Sequence, residues 1–153
     1  MSGEMISTLR GKVPQRAIRH LQDLPYTITY QSTAVQDFGD TGDAAFATIT
    51  TPADRRGKVM AVEIFAGAEN FAGTTDKAYV AIGTTDAGQE IAYTDDVADG
   101  ALTPVIYTAG NGLNVGTVGN VIDEGDLVYM CGMDATGTPT GQAFVAVTLL
   151  YFK

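Results

Sequence analysis

Glycine divides this chain into two unequal parts. Two of the eighteen glycines precede residue 39, and the other sixteen fall from Gly39 onward. Punctuation that dense leaves no room after residue 39 for a long helix. The β-branched residues Val, Ile and Thr number 42, against 28 for Leu, Glu, Gln, Lys and Arg together. That balance favours strands. The glycine-rich part therefore reads as short strands separated by turns. A chain of 153 residues that is 45% hydrophobic can fold as one domain with a buried core.

Charge follows the same division. Residues 1–25 carry four basic residues against two acidic ones, whereas residues 26–153 carry five against sixteen. A basic arm over 1–25 thus precedes an acidic β domain over 26–153. Pro14 suits a first helical position, and Gln15 to Gln22 follow without a breaker. Leu24-Pro25 ends the run. The arm is expected to be extended or to form one short helix. About nine residues make a marginal helix in isolation, so the segment needs a surface to dock on. Its apolar anchors are Met5, Ile6, Leu9, Val13, Ile18 and Leu21, and its cations are Arg10, Lys12, Arg16 and Arg19.

In the body, Tyr26 to Tyr30 alternates, with Tyr26, Ile28 and Tyr30 on one face. Val59 to Phe65 predicts a strand with Met60, Val62 and Ile64 inward and Glu63 outward. Further strands are expected over 46–50, 79–82, 91–93, 105–108, 113–118, 127–131 and 144–152. The last is apolar on both faces, which suits a central strand or a subunit contact. Eight or nine such strands predict an all-β, antiparallel β-sandwich. A jelly-roll-like arrangement is the first expectation and an immunoglobulin-like one the second.

Motifs for chemistry are not apparent. The single histidine, His20, lies in the arm, and no Gly-x-Ser-x-Gly elbow occurs, which disfavours a Ser-His-Asp hydrolase. Gly110, Gly112, Gly116 and Gly119 miss the dinucleotide fingerprint because position 115 is valine. These glycines read as turns. The lone Cys131 sits in a strand-like run and is expected to be a buried structural thiol. The acidic groups Asp37, Asp40, Asp43 and Asp95, Asp96, Asp99 do not follow the calcium-loop pattern and read as solvated turns. No cofactor or metal is expected.

The body's acidity disfavours nucleic acid. Its one basic cluster, Arg55, Arg56 and Lys58, reads as a hairpin tip, with contact to an acidic partner as the sharper alternative. With Tyr151 it forms the candidate subunit contact. The ten-residue apolar stretch Ala143 to Phe152 is too short to span a bilayer as a helix, and the amino terminus lacks the apolar core of a secretory signal.

Several segments resemble the head decoration (cement) proteins of tailed bacteriophages. These are Gly57-Lys58-Val59-Met60-Ala61-Val62-Glu63-Ile64-Phe65, Phe71-Ala72-Gly73-Thr74-Thr75 and Ala78-Tyr79-Val80-Ala81-Ile82-Gly83-Thr84. Glu124-Gly125-Asp126-Leu127-Val128 and Gly141-Gln142-Ala143-Phe144-Val145-Ala146-Val147 fit the same pattern. The resemblance spans roughly residues 57 to 152. It implies a jelly-roll or related sandwich, a homotrimer on the outer capsid surface, and the major capsid protein as partner. It implies a structural virion protein, made in the host bacterial cytoplasm, with an arm that helps tie neighbouring subunits. It brings no catalytic residues. The rival expectation is a tail, fibre or receptor-binding β-sandwich module of a virion. A glycan-active enzyme ranks below both.

Overall fold

A computed structural model describes residues 23–39, 43–72, 75–100, 104–137 and 140–153. The arm residues Met5 through Leu21, His20 and Asp40 lie outside the described residues. Among those described the protein is all-β, with no helix. The first three strands are β1 (Tyr26–Gln31), β2 (Gln36–Asp37) and β3 (Ala44–Thr50). Next come β4 (Arg56–Ala72), β5 (Tyr79–Gly83), β6 (Ala92–Thr94) and β7 (Val105–Ala109). The set ends with β8 (Gly112–Val115), β9 (Val121–Ile122), β10 (Leu127–Met133) and β11 (Thr140–Phe152).

Hydrogen bonding runs through a single sheet in the order β1-β11-β4-β7-β8-β6-β5-β10-β3, with β2 added to β11 and β9 to β4. The sheet curls into a nearly closed, barrel-like arrangement. The sequence expectation is met at the level of an all-β, almost wholly antiparallel domain. The one parallel pair among the described strands joins β7 to β8, where Thr108 faces Gly112 and Ala109 faces Leu113. The intervening loop places Gly110 and Gly112 at φ of 80° and 71°, a region that favours glycine. Through this loop the chain leaves the side of β4 and continues beside β6.

One core fills the interior. Val145, Val147, Leu149 and Tyr151 of β11 point inward beside Val59, Val62 and Ile64 of β4. Val80 and Ile82 of β5, with Val128 and Met130 of β10, close it from the other side. The alternation expected in β4 holds for Val62 and Ile64 but not for Met60, which is 40% exposed. The pairing of β4 with β11 shifts register between Thr148 and Leu149, so Val59 takes the inward place and Met60 is carried outward.

The crossing from β2 to β3 passes from the β11 side to the β10 side, and Phe38 sits in it. Its backbone N–H donates to Gly141 O and its carbonyl accepts from Ala135 N. Its ring lies 5.2 Å from that of Phe71 and against Gly132, where an added Cβ would come within 3.0 Å of it.

Candidate interaction surface

The described chain begins at a cleft of mixed charge. A shallow depression of about 560 Å³ is lined by Asp54, Arg55, Arg56, Asp123, Glu124 and Lys153. The guanidinium of Arg55 lies 5.3 Å over the Tyr26 ring and donates to Leu24 O at 3.1 Å. Lys153 forms an ion pair with Asp23. Arg56 pairs with Asp123 at 3.2 Å and lies over the Phe152 ring. These are exposed contacts, each worth little by itself. The contacts of Arg55 with Leu24 and of Lys153 with Asp23 mark where the leader joins the body, at the start of β1. Arg55 and Arg56 therefore act within the chain, Arg55 at the leader's root and Arg56 beside Asp123 and Phe152, and Lys58 stands apart on the sheet surface.

Tyr151, expected at a subunit contact, is fully buried in its own chain. Its hydroxyl is 2.8 Å from that of Tyr30, and its ring centroid is 5.5 Å from that of Tyr26. The alternation of β11 therefore hands the outer surface to its neighbours in sequence. Paired residues share a side of the sheet. Thr27 and Lys58 flank Leu150, Thr29 and Ala61 flank Thr148, and Gln31 and Glu63 flank Ala146. Ile106 and Thr108 of β7 continue these rows. Phe65 and Phe144 stack at 6.0 Å near one end, and Phe152 lies at the other.

Ile106 is 52% exposed and Met60 40%. The outer face of β1, β11, β4 and β7 is thus a largely uncharged surface bearing Lys58 and Glu63, with Arg56 beside Phe152 at one end. The two-sided apolarity of 144–152 was the signal for it in the sequence. Met60 and Ile106 could not be found that way, because a bulge and a non-local pairing place them.

The opposite part of the sheet is covered by its own chain. Ala81, Cys131 and Met133 cluster outside the main core with Tyr79, Tyr129 and Ala87. The loop after β5 lies over them. Glu90 ties that loop by accepting from Thr84 N–H and Thr85 Oγ1, and these bonds, led by the Thr85 hydroxyl, hold its carboxyl below the usual value.

The acidic groups are largely engaged in such ties. Asp37 accepts from Gly39 N–H, Asp43 from Asp134 N–H, and Asp95 from the Asn114 amide. Asp99 pairs with Lys77 at 2.5 Å. No group of three metal-ligating side chains assembles among the described residues.

Cys131 is buried, as its strand context implied. The Ala87 N–H donates to its sulfur at 3.3 Å. Burial pushes its thiol up from 9.0 to about 11, with the Asp86 carboxylate adding to the rise. A thiol held protonated in the fold stabilises it fully below pH 9, and that contribution fades as pH climbs toward 11. Urea titrations should show stability falling by about 1 kcal/mol between about pH 8.5 and 10, with the slope reduced in Cys131→Ala. Equal slopes would show that the thiol does not titrate with unfolding.

No protein-family model matches this chain, and neither does any curated protein.

Proposed function

We propose that this protein is a structural virion component, a capsid decoration protein that binds the outer phage head and stabilises contacts between major capsid subunits. The observation that carries the reading is the largely uncharged outer sheet face beside the root of a basic, apolar-studded leader. Such a molecule has an adhesive surface and a segment able to reach a neighbour. The resemblance of residues 57 to 152 to cement proteins supports the same conclusion. In this reading the passage from β7 to β8 divides the curled sheet into the two layers of a jelly-roll-like sandwich.

The charge contrast suits the task. Basic arm residues are steered toward an acidic shell, and rim charges chiefly raise the rate and register of docking. Affinity comes from apolar anchors at about 1.5–3 kcal/mol per fully buried side chain, reduced by the cost of ordering the arm. Repetition around a shell adds avidity.

Deleting residues 1–22 should leave the body folded and weaken attachment to purified heads by at least about a hundredfold, equivalent to about 2.7 kcal/mol. Co-sedimentation with undecorated heads measures this. Unchanged affinity of the truncated chain would remove the arm from the mechanism. Binding of the full chain to host cells and not to heads would favour the receptor-binding module instead.

A further inference from the structure

The outer face of β11 and β4 carries a pattern that complements itself. Lys58 and Glu63 stand on the same side of β4, one row to either side of Ala61. The row beside Lys58 presents Leu150, and the row beside Glu63 presents Ala146. Ala146 is buried although its side chain points outward, so this position is a dimple.

Consider a two-fold axis lying on this face and running across the strands above Ala61 and Thr148. Rotation about it stacks a second sheet on the first with its strands reversed. Lys58 of each copy then meets Glu63 of the other, and each Leu150 meets the other copy's Ala146. A two-fold contact of this kind satisfies both charge pairs at once because it is isologous.

We infer that this face binds a second copy of the same chain, forming a face-to-face dimer registered by two Lys58–Glu63 pairs. The occupant follows from the charge pattern. A like-charged face would repel its own copy, whereas this one places Lys58 and Glu63 at equal distances from a single axis, and Arg56, at the far end beside Phe152, is paired with Asp123 of its own chain. The size sets the strength. From Phe144 to Phe152 β11 extends roughly 26 Å with β4 beside it, whereas β1 pairs only over Tyr26–Gln31 and β7 only with Ala61–Ile64. The projected footprint is roughly 400 Å², smaller than the roughly 800 Å² per partner of a standard interface, so the dimer is expected to be reversible. The inference does not depend on the capsid reading, since it concerns the free protein.

The test is sedimentation equilibrium of the full chain and three variants, Lys58→Glu, Glu63→Lys and the double reversal. The wild type should be a dimer. Each single reversal sets like charges against each other at both pairs and should weaken the dimer at least tenfold. The double reversal should restore it. Mixing the two single variants should also restore dimers, because the two acidic positions of one variant then face the two basic positions of the other.

A full chain that stays monomeric overturns the proposal, and dimers appearing only after removal of residues 1–22 would assign the face to the leader. A trimer, or a dimer indifferent to all the reversals, overturns it equally. A face closed in the dimer leaves head binding to the leader, and co-sedimentation of the chain with and without residues 1–22 measures that separately.

Discussion

Replacing Phe38 with alanine should destabilise the body by about 3–5 kcal/mol, the usual cost of emptying a fully buried phenylalanine site. The residue has no exposed surface and packs on Phe71 and Gly132. It also sits where the chain crosses between the β11 and β10 sides, with its backbone bonded to Gly141 and Ala135. The cavity would open where little regular pairing bridges the two sides, since β1 and β3 stand at opposite ends of the hydrogen-bonded path. Collapse around the missing ring would require the two sides to move together, so relaxation should recover little. For a chain of this length the loss corresponds to a fall in Tm of roughly 6–20 °C. Calorimetry of Phe38→Ala and Phe38→Leu checks it, with the leucine variant expected to retain most of the stability. An alanine variant within about 1 kcal/mol of the wild type, well short of the usual cost, would show that Phe38 does not hold the two sides together.

Sequence reasoning found the strands whose alternating or continuous apolar runs are bounded by turns. Tyr26 to Tyr30, Tyr79 to Ile82 and Leu127 to Cys131 all lie within β1, β5 and β10. It shortened β4, expected over 59–65 and observed as Arg56–Ala72. Ala66 has φ of 48° and Gly67 follows it, a pair that reads as a break. The strand continues because β11 shifts register alongside it, and a register shift is a property of two strands that neither sequence displays alone. β8 ends at Val115 instead of reaching Val118, since Gly116 N–H turns to bond Ile91 O. The two-residue strands β2 and β9 are too short to carry any period.

The interaction surface was legible in part for a related reason. Apolar residues on both faces of 144–152 announced that β11 has two buried or contacting sides. Which side faces the core depends on one-residue register, and a slip of one residue exchanges the faces. Tyr151 was therefore placed outside and belongs inside, while Leu150 and Phe152 take the outer positions. The basic cluster was visible, but its division was not. Arg55 turns to Leu24 and Tyr26, Arg56 pairs with Asp123 beside Phe152 at the end of the face, and Lys58 stands nearer its middle. Most of those partners are distant in sequence and come together only through the sheet.

Tyr151 joins stability to the proposed task. β1 is an edge strand with little buried surface, held by its ladder to β11 and by the contacts of Tyr26 and Tyr30 with Tyr151. Since the leader continues directly into β1, any pull on a docked arm passes through this strand. Tyr151→Ala should cost about 3–5 kcal/mol through the cavity it leaves. It should also speed amide exchange in β1 more than in β5 or β10.

Tyr151→Phe keeps the ring and removes one hydroxyl bond, which should cost about 1 kcal/mol. The phenol is pushed well above its ordinary value of 10.0 by burial first and by its bond to Tyr30 second. A raised pKa in the fold means its stabilising contribution is complete below about pH 10 and fades at higher pH. The wild type should therefore lose stability more steeply above about pH 10 than the phenylalanine variant. Hydrogen exchange on the alanine variant and alkaline unfolding of the phenylalanine one measure the two effects. Undisturbed exchange in β1, together with parallel alkaline curves, would mean that the strand is anchored by its backbone ladder alone. In that case the leader's attachment would not depend on the tyrosine cluster.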